Sequence, residues 1–200
     1  HVADIGSWHL VPNGVPLATY PFVENPGADA PLVFLGRVEE IKGPHLAIEI
    51  AHRAKLPLVI AGNVPDEHRG WFETTIAPRL DDSITYIGPV DDQKKAQLLG
   101  SARALLMPIL WEEPFGIVMA EAMACGTPVI GYNRGAVPEV VEHGVSGFVE
   151  ETLDQLVTAA GRLDELQRFN ARLRVETYYA DCVIAARYLD VYAHMLGSIK

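Results

Sequence analysis

The segment Trp111-Glu-Glu-Pro-Phe-Gly-Ile-Val-Met-Ala-Glu-Ala-Met-Ala-Cys-Gly-Thr-Pro128 sets two carboxylates, Glu113 and Glu121, either side of a Pro114-Phe115-Gly116 turn. Behind the turn runs an apolar stretch that reads as a helix. Ala104-Leu-Leu-Met-Pro108 leads in as a buried strand, and Pro128-Val-Ile-Gly131 leaves as another. Strand, loop, helix and strand follow one another, with the unusual side chains at the loop and the first helical turns.

Working outward, the same unit repeats. Leu32-Val-Phe-Leu35 is a continuous apolar run, as expected of a strand covered on both faces in a parallel sheet. It ends in Gly36-Arg-Val-Glu-Glu-Ile-Lys-Gly43. Leu46, Ala47, Ile50, Ala51 and Ala54 then recur at helical spacing. Pro57–Ala61 is the next strand, closed by Gly62-Asn63, and a polar helix is expected over about 66–76 with Asp66 as its cap. Ser83–Ile87 is a third strand, ending at Gly88-Pro89. Asp91 or Asp92 caps the helix that carries Ala96, Leu98 and Leu99. Beyond Gly131 come a short helix at 136–141, a short strand at 147–149, and helices over about 153–163, 165–176 and 181–196. Buried strands alternating with amphipathic helices predict an α/β fold with a doubly wound parallel sheet.

Composition narrows the partners. Of 200 residues, 49% are hydrophobic and 21% charged, enough for one sizeable core, and the net charge of −10 argues against nucleic acid or an anionic membrane as partner. Cys125 and Cys182 have neither disulfide-framework nor zinc spacing, which makes a reducing cytoplasm the expected compartment. No run is long enough to span a membrane. No Asp-x-Asp, Gly-x-Gly-x-x-Gly or Gly-x4-Gly-Lys-Ser/Thr pattern occurs where metal, dinucleotide or P-loop chemistry would need one. The histidines have no triad or ligand spacing. The chain opens on His1-Val2-Ala3, so a piece of a longer protein is expected.

Ligands of such sheets collect at the carboxyl ends of strands and at helix N-termini. Those ends carry Gly36, Arg37 and Lys42, then Gly62 and Asn63, then Gly88, Pro89 and Val90, then Trp111 to Val118, then Gly131 to Gly135. Arg37 offers a bidentate fork to phosphate oxygens and Lys42 a mobile point charge. The amides of Gly116, Ile117 and Val118 add anion donors. Carboxylates accept hydrogen bonds from vicinal hydroxyls. At about 1.5 Å per residue, Glu121 lies roughly 6–8 Å along the helix from Gly116, with Glu113 on the other side of the amides. That order suits a ligand that is anionic in its middle and hydroxylated at either end.

The motif Glu113-Pro-Phe-Gly-Ile-Val-Met-Ala-Glu121 resembles the Glu-x7-Glu signature of GT4-type, retaining glycosyltransferases of the GT-B fold. Gly36-Arg37…Lys42-Gly43 is similar to that family's Gly-Arg…Lys-Gly segment, Val11-Pro-Asn-Gly-Val15 to its interdomain junction, and Gly135-Ala-Val-Pro-Glu139 to its distal loop. Pro16 stands where Asp is frequent, and Pro114 where Gly is.

The resemblance implies the C-terminal, donor-binding half of such an enzyme: a Rossmann-like half of a GT-B fold. Its partners would be a nucleoside-diphosphate sugar, with UDP favoured over GDP or ADP, and an N-terminal acceptor domain outside this sequence. Arg37, Lys42 and Glu113 would be the catalytic residues, the first two on the diphosphate and Glu113 on the transferred sugar. Gly36, Phe115, Gly116, Ile117 and Val118 would bind donor, Glu121 the ribose hydroxyls, and Gly88, Pro89 and Val90 the nucleobase with Gly62 nearby. No metal or other cofactor is expected.

The implied organisation is a junction over 1–30, a nucleotide-sugar-binding domain over 31–177, and a helix over 178–200. That helix, with its stripe of Ile184, Tyr188, Val191, Tyr192 and Met195, would pack on this sheet or on the acceptor domain. A non-catalytic nucleotide-sugar-binding module and a related phosphorylase or epimerase are the alternatives. Trp111 is better explained by packing than by ligand, while Glu112 and Glu139 are as well explained by solvent as by ligand.

Overall fold

Short runs of Val, Leu, Ile and Ala pair side by side because neither of their faces carries a polar side chain that needs water. The structure, a computed structural model, describes residues 8–197. Among these residues six strands form one sheet: β1 (Leu32–Leu35), β2 (Leu58–Ala61), β3 (Ile84–Tyr86), β4 (Ala104–Met107), β5 (Val129–Tyr132) and β6 (Gly147–Glu150). Their order is β3-β2-β1-β4-β5-β6. Every pairing is parallel, with Leu32 set beside Leu58 on one side and Ala104 on the other.

The described residues also form eight α-helices: α1 (Pro44–Ala54), α2 (Arg69–Trp71), α3 (Asp92–Ser101), α4 (Ile117–Ala124), α5 (Val137–Val140), α6 (Leu153–Ala160), α7 (Arg168–Tyr178) and α8 (Asp181–Gly197). The alternation of a strand splits the core in two. Val33, Leu105 and Met107 point to the face covered by α3, α4 and α7. Leu32, Phe34, Ala104 and Leu106 point to the face covered by α1 and α6. This is the doubly wound, Rossmann-like fold expected. The sheet grows outward from β1 through β2 to β3, then restarts from β4 on β1's other side. The β1–β4 boundary is therefore its topological switch point, where the loops diverge and leave a crevice.

Two expected elements take a different form. The 66–76 stretch is not one helix: a 3-10 turn (Asp66–His68), α2, a π turn (Phe72–Ile76) and a further 3-10 turn (Ala77–Arg79) follow one another. Asp66 makes no cap and instead pairs with Arg69 at 2.9 Å. The helix expected from 165 starts at Arg168, because Glu165 closes a 3-10 turn and is held by Arg162 at 2.8 Å. Of the two candidate caps on α3, Asp91 does the work, accepting from the Lys94 amide.

The segment before β1 is tied down by arginines of α7. Arg168 donates to the carbonyls of Val23, Gly100 and Ala102 and to Thr127 Oγ1, while Arg172 donates to those of Tyr20 and Ala124. Val15 bridges Ala180: its amide donates to the Tyr179 carbonyl and its carbonyl accepts from Asp181. Further out, the rings of His9 and His194 meet edge to face with centroids 5.7 Å apart. On α8 only Ile184 of the stripe is buried, while Tyr188, Tyr192 and Met195 are exposed. Among the described residues no helix is long and apolar enough to cross a membrane.

Candidate active-site cleft

At the switch point the chain leaves β1 through Gly36 and Arg37. The Val38 amide anchors on the Asn63 carbonyl, and a 3-10 turn, Glu40–Lys42, delivers Lys42 toward β4. The loop after β4 is fastened to that turn by the Leu110 amide on the Ile41 carbonyl. Lys42 Nζ thereby meets Glu113 Oε2 at 2.5 Å, with both side chains largely buried. The Trp111 indole N–H donates to the same oxygen at 3.0 Å, and Lys42 Nζ also sits 4.5 Å from the centre of the Trp111 ring. A cation between a carboxylate and an aromatic face is fixed in two directions.

The main chain at Glu113 is held from the far side. The Ala136 amide donates to its carbonyl, and the Gly135 amide donates to the Glu112 carboxylate, both at 2.8 Å. Gly135 has φ +54, and a side chain there would run into the backbone of Glu113. Gly135-Ala136 therefore works as a brace that only glycine can make so close.

Gly116 opens α4, which points its first amides into the same space. The result is a cleft of about 240 Å³ between the β1 and β4 loops, lined on its polar side by Arg37, Lys42, Glu113 and the Gly116–Val118 helix entry. Arg37 is half exposed, with Nη2 resting 2.9 Å from the buried Glu39 carboxylate, whose other oxygen lies 3.3 Å from His68 Nε2. Two cations and a helix N-terminus facing one small cleft are an arrangement that can receive an anion. The single carboxylate in it suits a neighbouring hydroxyl group.

The three strand-end glycines form a ledge beside the cleft. The Gly36 amide donates to the Ala61 carbonyl, the Gly62 amide to that of Gly88, and Tyr86 Oη to that of Gly62. Gly62 has φ +142, and a methyl group on it would overlap the Gly36 carbonyl. The cleft wall proper includes Gly36 but stops short of Gly62, Gly88, Pro89 and Val90, which continue the ledge along the ends of β2 and β3. Phe115 departs from expectation. Its ring lies edge-on to Tyr179 at 5.6 Å and lines a separate depression beside α7, so its side chain is outside the cleft. The apolar environment under α4 claims it.

Glu121 lies one turn beyond Ile117 and Val118 on the same face of α4, 7% exposed. Tyr20 Oη donates to its Oε1 at 2.6 Å, and Lys95 Nζ to the same atom at 2.8 Å. Lys95 is further held by Asp92 at 3.1 Å, and its ammonium sits 5.6 Å from the Tyr20 ring centre. Burial pushes the Tyr20 hydroxyl up to about 12, helped by its hydrogen bond to Glu121. Burial works to lower the Lys95 ammonium, but the bonds to Glu121, Tyr20 and Asp92 outweigh it and hold the group above its ordinary range.

Residues 21–176 match the family described as Glycosyl transferases group 1. The chain belongs to this family. The putative glycosyltransferase YtcC of Bacillus subtilis (strain 168) is 32% identical over 187 residues, an alignment covering 82% of this chain and 45% of YtcC. In general the chain spans about half the length or less of the curated relatives it matches, 48% and 34% in two others. Anabaena Alr3699/HepE, solved in complex with UDP-glucose, superposes with a TM-score of 0.74 at 21% identity, over 92% of this chain and 56% of that one. The C-terminal domain of the group 1 family protein LpcC from Francisella tularensis was solved alone. It superposes with a TM-score of 0.71 at 22% identity, over 84% of this chain and 100% of that one. The fold is that of the C-terminal half of a GT-B glycosyltransferase.

Within this group 1 glycosyltransferase domain, sequence reasoning did not name Tyr20, Lys95 or Glu39 as site residues. Tyr20 lies in a segment rich in turn residues, and Lys95 on a polar helix face. Nothing local to either marks its role. The cost of burying Glu121 on an apolar helix did carry a signal: it required a partner without saying which.

Proposed function

We propose that this domain binds the nucleoside-diphosphate sugar of a retaining glycosyltransferase, and that its acceptor is held by another domain of the same protein. The observation that carries this reading is the convergence of Arg37, Lys42 and the α4 N-terminus on a cleft whose one carboxylate is Glu113. The fold shared with HepE, which holds UDP-glucose, supports it.

Arg37 and Lys42 take the diphosphate, with the amides at Gly116, Ile117 and Val118 beside them. As the glycosidic bond breaks, negative charge grows on the leaving phosphate oxygen, and these fixed donors stabilise it more in the transition state than in the ground state. Glu113, already held by Trp111 and Lys42, accepts hydroxyls of the transferred sugar. Glu121 takes the ribose hydroxyls, and the ledge of Gly62, Gly88, Pro89 and Val90 accommodates the base. A UDP-sugar is the first choice of donor, the reading calls on no metal ion, and the cytoplasm is the compartment proposed.

Isothermal titration of the folded chain with UDP-, GDP- and ADP-sugars, and with glucose 1-phosphate, is the test. Saturable binding of one nucleotide sugar, with no transfer by the chain alone, is expected. Binding of none of them, or of glucose 1-phosphate in preference, would overturn the reading.

A further inference from the structure

We propose that Lys95 and Tyr20 are positioning residues that make Glu121 a ribose-selective carboxylate, an inference that rests on the donor-binding reading above and deepens it. Glu121 interrupts a helix in which Met119, Ala120, Ala122 and Met123 are fully buried. A carboxylate so placed is costly to bury unless a cation and a donor accompany it. Lys95 supplies the cation from α3, and Tyr20 the donor from the segment before β1.

Both bonds end on Oε1. Neither residue therefore competes for Oε2, and a carboxylate with a pinned orientation and one oxygen left over is what a cis-diol needs as acceptor. Neither partner is loose. Asp92 and the Tyr20 ring fix Lys95, and the Tyr20 carbonyl is clamped by Arg172, which also holds the carbonyl of Ala124 at the end of α4. Glu121 sits one turn past the cleft-lining Ile117 and Val118. A ligand whose phosphates occupy the helix entry would bring its pentose there.

The test compares UDP, GDP and ADP with their 2′,3′-dideoxy counterparts by titration calorimetry. With the wild-type chain, the nucleotide that binds should lose about tenfold or more in affinity when both hydroxyls are removed, the size expected for hydrogen bonds to a charged acceptor. In Lys95→Met that ratio should fall toward one while dideoxynucleotide affinity stays within about twofold. Lys95→Arg should restore most of the ratio, and Tyr20→Phe should lower it a few-fold.

A merely structural role would weaken both ligands together, and that result overturns the proposal. So does a ratio that survives Lys95→Met. If Lys95→Met fails to fold, an unchanged ratio in Tyr20→Phe overturns it instead. Failure of the wild-type chain to distinguish the two ligands is separate: it removes Glu121 from the ribose, and the donor-binding reading of that residue falls first.

Discussion

Lys42 and Glu113 lie 71 residues apart in the chain and 2.5 Å apart in space. The pair closes the crevice at the switch point, joining the loop of β1 to the loop of β4. With Trp111 on both, Lys42 is presented toward the cleft rather than into solvent. Substituting Lys42 by Met should lower affinity for a nucleoside diphosphate about ten- to a hundredfold, as expected for losing charge-assisted bonds, and leave affinity for the bare nucleoside unchanged. Lys42→Arg should keep part of the effect. Parallel titrations with both ligands check it, and equal losses on both would refute it.

Gly62→Ala should destabilise the domain by about 2 kcal/mol or more. The residue adopts a backbone angle that side chains rarely take, and its new methyl would have to displace the Gly36 carbonyl. Gly88→Ala is the control. It also starts from positive φ, but nothing lies near its added methyl, so about 1 kcal/mol is expected. Urea unfolding of the two variants measures the difference, and an equal loss in both would show that the close approach at Gly62 carries no cost.

Arg168 is half-buried and, among the described residues, donates to no carboxylate: its charge is met by carbonyls at the C-terminal ends of α3 and α4 and by Thr127. A cation at helix C-termini is favourably placed. Arg168→Ala should cost about 3 kcal/mol or more, because several buried acceptors lose their donors at once. Arg168→Lys should recover only part of this, since an ammonium cannot reproduce the fork. The urea midpoints order the three proteins, and a lysine variant as stable as wild type would contradict the assignment.

Stability should fall on the alkaline side. Below pH 10 Tyr20 is protonated in both folded and unfolded chains. Between about 10 and about 12 the unfolded chain gives up this proton while the folded chain keeps it, so the unfolded state is favoured as pH rises. Lys95 acts in the same direction: its pKa is raised on folding, so its contribution is complete below the unfolded value and is lost as pH climbs through the folded one. Melting temperatures measured from pH 8 to 12 should begin to drop near pH 10. Tyr20→Phe should show a shallower drop, and an identical slope would remove Tyr20 from the account.

The strands and the cleft were legible because each rests on a local signal. Leu32–Leu35 and Ala104–Met107 are apolar on both faces, and Gly36-Arg37…Lys42 and Glu113…Gly116 follow directly from them. What escaped depends on distant segments meeting. Tyr20 reaches Glu121 across 101 positions and Lys95 across 26, and no periodicity encodes either. The 66–76 stretch failed for a different reason. A weakly apolar segment has little burial to enforce α geometry, and Thr74 turns its hydroxyl onto the carbonyls of Gly70 and Trp71, where helical spacing widens. Phe115 looked like part of the donor wall from its place in the motif, but the direction of a side chain at a turn is settled by whichever apolar neighbour is available, here Tyr179.

The bridge between Val15 and Ala180, with His9 against His194 beyond it, brings the first and last described segments through one doorway. A unit entered and left at a single place can be set into a host protein without stretching either connection. The same geometry permits cutting the chain at the surface and rejoining it through that doorway. Tyr20 stands five residues inside that doorway, so the stretch of chain pinned there is the one that carries the hydroxyl donor of Glu121.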